Sequence, residues 1–282
     1  MSRSRSASQV AGIGIGWRPE IAAVVDDLPG LGFCEVIAES VPHIDVEPLT
    51  ALGVPVIPHG VGLSLGGAEP VTDDRIDVLA RAARRLRSPL VSEHIAFVRA
   101  GGVEAGHLLP VPRTREALAV LCDNITRTQD RLSVPLAVEN IAALFSWPDD
   151  EYTEGEFLAE IVERTGVRLL LDVANVYACA RNSGVDPAVE LSRMPLEAIA
   201  YCHVAGGESD GVLYHDTHTA PVPDAVLDLV TRLAATGRAP AFMLERDGRY
   251  PPVTELLGEL DAIADAARMD RITVGSRWWA AS

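Results

Sequence analysis

Twelve side chains carry the chemistry to be expected of this chain: Glu39, His59, Glu93, His94, Glu139, Asn140, Asp172, Asn175, His203, Asp216, His218 and Glu245. All of them close or follow a short apolar run. The clearest case is Leu169-Leu170-Leu171-Asp172, because a strand apolar on both faces is buried on both faces and leaves no water for a carboxylate at its end. Asp172 therefore calls for a cationic partner. Imidazole with carboxylate, and no thiolate at the strand ends, is a donor set for Fe, Mn or Zn, and mixed sets with open positions suit non-haem Fe(II) that handles oxygen. On an extended segment Asp216 and His218, two apart, would face the same way and share one ion, and Glu139 or Asp172 could bridge two ions about 3.5 to 4 Å apart.

Each residue taken alone has a blander reading, since a single strand-end His is more often a hydrogen-bonded structural group. His43 and His107, in expected loops, keep that reading, and Asp247 is read as pairing with Arg246 or Arg249. Glu93 neighbours His94 and so should point to the opposite, helix-facing side of its strand. Glu35 and Glu39, four apart, share a face and are read as groups supporting the ligands from behind. Recurrence at successive strand ends is what favours a metal, because five or more carboxylates gathered in one place repel unless cations sit among them.

The elements that must position these residues follow from the apolar runs. Eight strands are expected, at Val10–Gly16, Phe33–Glu39, Val54–Gly60, Leu90–Phe97, Leu136–Ile141, Arg168–Asn175, Ile199–Gly206 and Ala241–Glu245. Helical spacing fills the intervals at Pro19–Leu28, Asp73–Arg87, Thr114 to about Leu132, Glu156–Arg164, Pro223–Ala235 and Val253 to about Ala267. Thr114 is placed as an N-cap and Gly166 as a terminator. Arg99–Pro112, rich in Gly and Pro, reads as loop. Alternation of strand and helix fits right-handed βα units, and eight strands with polar C-terminal ends predict an α/β fold with a single (β/α)8 TIM barrel, whose chemistry gathers at one rim. The domain is expected over residues 10–270, flanked by a disordered tail at 1–9 and a C-terminal tail at 271–282.

Composition narrows the partners. Net charge of −16 opposes a phosphate backbone and argues against nucleic acid. No apolar run is long enough to span a membrane, and Gly12, Gly14, Gly16 and Arg18 interrupt any signal-like stretch, so a cytoplasmic protein is expected. The same glycines form GxGxG followed by Trp17-Arg18-Pro19, which is not a dinucleotide fingerprint. Four cysteines, at 34, 122, 179 and 202, lack CxxC spacing and are expected to stay unpaired.

A family resemblance rests on eight motifs in fixed order: His59-Gly60-Val61-Gly62-Leu63-Ser64, Ser92-Glu93-His94, Leu109-Pro110-Val111-Pro112, Val138-Glu139-Asn140, Leu171-Asp172-Val173-Ala174-Asn175, His203-Val204-Ala205-Gly206, Asp216-Thr217-His218 and Glu245-Arg246-Asp247. Together they resemble the DUF692 family of multinuclear non-haem iron-dependent oxidative enzymes, over Gly12 to about Ile263. The resemblance implies a TIM barrel with two or three iron ions in mixed Fe(II)/Fe(III) states. It also implies O2-dependent modification of a ribosomally made precursor peptide, commonly at cysteine, in some members with a separate peptide-delivering partner protein. The matching ligand positions are His59, His94, Glu139, Asp172, Asn175, His203, Asp216, His218 and Glu245, with Asp172, His203 and Glu245 closest to the chemistry. Ala174 and Asn175 stand where family members often carry Asn or His. Two other readings of the same residues are a sugar isomerase or phosphoesterase using metals on this architecture, and a non-catalytic metal-binding protein.

Overall fold

The computed structural model describes residues 10–281, so the expected tail at 1–9 lies outside the described residues. Eight parallel strands close into a barrel in the order β1 (Gly12–Gly16), β2 (Phe33–Ile37), β3 (Val56–Gly60), β4 (Val91–His94), β7 (Leu136–Glu139), β8 (Arg168–Asp172), β9 (Ile199–Val204) and β12 (Ala241–Leu244). Two antiparallel hairpins stand outside it: β5 (Ala96–Ala100) with β6 (Val103–Pro110), and β10 (Glu208–Ser209) with β11 (Tyr214–His215). The barrel interior is plugged by Phe33, Ile57, Leu90, Leu170, Tyr201 and Met243. A much larger apolar layer lies between the strands and the surrounding helices.

Local chemistry explains most helix boundaries. The Thr114 side chain accepts the Ala117 N–H at the start of helix Arg115–Arg131. Thr153 and Glu156 form a reciprocal capping box on helix Glu154–Thr165, which Gly166 ends at φ +66°.

Three expectations are corrected. Arg99–Pro112 is not loop, because most of it pairs as β5 and β6. The sixth strand stops at Asp172 rather than Asn175: the Asp172 carboxylate caps helix Val173–Ser183 by accepting the Asn175 N–H at 2.9 Å. The segment expected as a C-terminal tail packs back on the barrel, with Ile272 and Ser276 buried and Ser276 hydrogen-bonded to Asp27 at 2.8 Å.

Candidate metal centre

Strand register brings the sequence-distant groups together. His94 on β4 lies beside Glu139 on β7, and Asp172 on β8 lies beside His203 on β9. Glu245 follows β12, whose Met243 is the other neighbour of His203. Because every strand runs the same way, these ends share one mouth.

Four overlapping groups there each converge closely enough to hold an ion: His59, His94 and Glu139; Glu139, Asp172, His203 and Glu245; Asp172, Asp216 and His218; and His218, Glu245 and Asp247. In the first, two imidazoles and a carboxylate face one another. His59 Nε2 is 3.3 Å from His94 Nε2 and 3.4 Å from Glu139 Oε2, which is 3.5 Å from His94 Nε2. The fourth group carries its own cation, since Arg18 donates to Asp247 Oδ1 at 2.9 Å and reaches Glu245 Oε1 at 3.5 Å.

Unpaired buried atoms test whether a cation fits. Glu139 Oε2, Asp172 Oδ2, Asn175 Oδ1, His203 Nδ1 and Asp216 Oδ1 are buried without a hydrogen bond. Buried polar atoms are normally paired, and each of these five can offer a lone pair to a metal. His203 Nδ1 is the most telling: it lies 2.8 Å from Glu245 Oε2 and 3.3 Å from Glu139 Oε1 without hydrogen-bond geometry to either. His94 is oriented independently, because its Nδ1 is 3.1 Å from the Gly60 carbonyl, which can only accept. That fixes Nε2 as the lone-pair nitrogen. Two histidines and one carboxylate meeting on one side is a donor set suited to Fe(II).

The protein's own charges are balanced by shared protons. Burial opposes charge on His94, but Glu139 and Glu93 raise it to about 9. Burial would lift Glu139, yet His203 and His94 draw it down to about 2. Burial, Asp216 and Glu139 push Asp172 up to about 8. His203 is raised well above the usual imidazole range despite burial, by Glu35 and Glu245. A cation entering here displaces protons.

The nine residues matched as ligands thus all reach one mouth, Asn175 from the first turn of a helix rather than from a strand. Asp216 and His218 meet for a different reason than period-two alternation. His218 sits at φ +53°, and the bend brings its Nε2 to 2.6 Å from Asp216 Oδ2. Glu93 does start on the outer face, but its carboxylate turns back to accept the Leu63 and His94 N–H groups, at 2.9 and 2.8 Å. Glu35 supports His203 as expected. Glu39 instead lies in a 3-10 turn after β2 and accepts the Val61 N–H at 3.1 Å. Residue-type reasoning missed Tyr201 and Ser92, polar groups inside strands whose partners only the closed barrel reveals.

Above the mouth opens a cleft of about 880 Å³. Its walls include Leu108 and His107 of β6 and Leu144 and Phe145 of the loop after β7, all partly or well exposed. A smaller cleft of about 340 Å³ near Leu28 and Leu52 has Asp26 as its one titratable lining group and joins no ligand cluster. Gly206 follows β9 and packs against the segment after His218. A Cβ there would lie 2.2 Å from the Pro221 carbonyl and 2.3 Å from that of Ala220, so Gly206→Ala must displace the segment that follows His218. Overpacking of this kind costs about 1–3 kcal/mol. The expected result is a folded barrel that binds one Co(II) fewer per chain, read by titration followed through visible absorption.

Among the described residues no helix is long and apolar enough to cross a membrane. All four cysteines are free thiols. The family model described as RiPP precursor modification enzyme MbnB/TglH/ChrH matches residues 12–268. A UPF0276 protein of Streptomyces avermitilis is 55% identical over 275 residues, covering 93% of this chain. The chain spans only 56% of that relative's length. A UPF0276 protein of Caulobacter vibrioides is 39% identical over 89% of this chain and 92% of its own length. Among solved structures, D-psicose 3-epimerase from Clostridium cellulolyticum superposes with TM-score 0.54 at 11% identity, over 95% of this chain and 98% of that one. Endonuclease IV from Thermus thermophilus gives 0.57 at 20% identity, over 96% and 100%. Likeness at such identities shows the barrel and nothing of the chemistry.

Proposed function

This chain belongs to the family of RiPP precursor modification enzymes MbnB/TglH/ChrH, and from that premise we propose that it oxidatively modifies a ribosomally synthesised precursor peptide, at cysteine, using iron and O2. The observation that carries the reading is the overlap of ligand clusters on Glu139, whose two oxygens face different histidines beneath an open cleft. Two or three iron ions in mixed Fe(II)/Fe(III) states would be held by His59, His94, Glu139, Asp172, Asn175, His203, Asp216, His218 and Glu245, a reading that the four clusters and the unpaired buried atoms support. Bound iron supplies the one-electron redox change and the affinity for thiolate that oxidation at cysteine by O2 requires.

The chain's own part is binding, orientation and proton handling. The partly apolar cleft admits an extended peptide and lowers the water content above the mouth. Asp172, pushed up by burial and by Asp216, holds its proton in the metal-free protein and would give it up to a bound cation. Glu245 and His203 bracket the same space, from the end of β12 and from β9. Arg18 keeps Glu245 and Asp247 aligned from the β1 side. Charge of −16 and an apolar rim favour a peptide over a nucleic acid in this cleft, and we place the protein in the cytoplasm, where a peptide-delivering partner could meet it.

Co-production with a Cys-containing precursor peptide tests the reading. The peptide should change mass only with O2 present and not with an Asp172→Ala enzyme. An unchanged mass under both conditions, with iron bound, points to another reaction. Conversion of a sugar or a phosphodiester instead supports the isomerase or phosphoesterase reading.

A further inference from the structure

Beneath the ligand clusters lie three fully buried polar residues from three strands, Glu35 of β2, Ser92 of β4 and Tyr201 of β9. They connect two histidines that lie on different strands. His203 Nε2 is 3.0 Å from Glu35 Oε2, and the Tyr201 hydroxyl donates to the same oxygen at 2.5 Å. The Tyr201 hydroxyl is also 2.7 Å from Ser92 Oγ, which is 2.8 Å from His59 Nδ1.

We propose that Glu35, Tyr201 and Ser92 are positioning residues forming one directional hydrogen-bond chain that fixes which nitrogen of His59 and which of His203 is free for a metal ion. The inference rests on the metal-centre reading given above. Its direction follows from counting protons. Tyr201 has one hydroxyl proton and two neighbours, and a hydrogen bond to a carboxylate is roughly twice as strong as one to a neutral hydroxyl. The proton therefore goes to Glu35. Ser92 must then give its own proton to Tyr201, which leaves only lone pairs on Ser92 Oγ for His59. His59 Nδ1 accordingly carries hydrogen, and its Nε2 lone pair points toward His94 and Glu139.

At the other end His203 donates through Nε2 to Glu35, which leaves the Nδ1 lone pair facing Glu139 and Glu245. One buried carboxylate thus orients ligands of two adjacent clusters. His94 lies outside the chain, because the Gly60 carbonyl orients it.

Anaerobic Co(II) titration of wild type, Glu35→Gln and Tyr201→Phe, read by visible absorption and chelator competition, tests this. Loss of an outer-shell partner typically weakens metal binding 10- to 100-fold. Glu35→Gln should weaken two ions by about that factor, and Tyr201→Phe only one, since His203 keeps its own bond to Glu35. If Glu35→Gln does not fold, Ser92→Ala replaces it and should match Tyr201→Phe. Variants that lose thermal stability while binding Co(II) with wild-type affinity and spectrum overturn the chain. Wild type that binds no Co(II) overturns the metal-centre reading itself, and the chain with it.

Discussion

Replacing Glu139 by glutamine is expected to empty two ion positions together. Its Oε2 stands 3.4 and 3.5 Å from the Nε2 atoms of His59 and His94, while its Oε1 stands 3.3 Å from His203 Nδ1. Glutamine keeps the volume but presents one oxygen and an NH2 group that cannot coordinate. Whichever way it turns, one cluster faces a donor instead of a lone pair, and the other keeps a neutral amide oxygen where it had a shared negative charge. The loss should exceed the roughly 100-fold upper end of an outer-shell effect, because a ligand shared by two ions is removed. Iron per chain should fall by about two, with peptide modification undetectable, measured by metal analysis and peptide mass. Circular dichroism should report an intact barrel, since the hydrogen-bonded strand ring does not involve this side chain. A Glu139→Gln protein retaining iron and activity would show that the clusters are structural acid–imidazole pairs.

Phe33→Ala should cost about 3–5 kcal/mol, the range for a large aromatic removed from a well-packed core. Phe33 is fully buried inside the barrel, with Ile57, Leu90, Leu170 and Met243 around it. Its ring lies across Gly14, where a Cβ would come within 2.6 Å of it. The walls are held by eight paired strands and cannot close on the space left behind. Tyr201 meets the ring edge-on at 5.7 Å between centroids, so the cavity opens directly under the groups that orient His59 and His203. Denaturant unfolding of the metal-free protein checks the size of the effect. A change below about 1 kcal/mol would mean that the barrel floor relaxes freely, against the packing described.

Much of the centre was legible because the barrel converts a linear pattern into a spatial one. His59, His94, Glu139, Asp172, His203 and Glu245 each close an apolar run, and eight parallel runs have one place to deliver their ends. What the pattern could not carry was pairing between elements. Tyr201 sits in an apolar run and reads as a core aromatic until Glu35 and Ser92 are seen on either side of it. Residues 103–110 show no apolar alternation and contain Gly106 and Pro110, so their strand character comes from pairing with β5 rather than from local preference. Strand alternation placed Glu93 on the outer face, but at a strand end its side chain is long enough to return to the His94 amide. By sequence Asn175 reads as strand, because the run leading to it is apolar. Capping by Asp172 turns the backbone into helix and still leaves Asn175 Oδ1 in the mouth without a partner.

The most direct measurement is the metal content of wild-type protein purified anaerobically from iron-replete cells. Two or more iron ions per chain are predicted, with the count falling in Glu139→Gln. Full occupancy by zinc with no iron would contradict an oxygen-dependent oxidative centre at this barrel mouth.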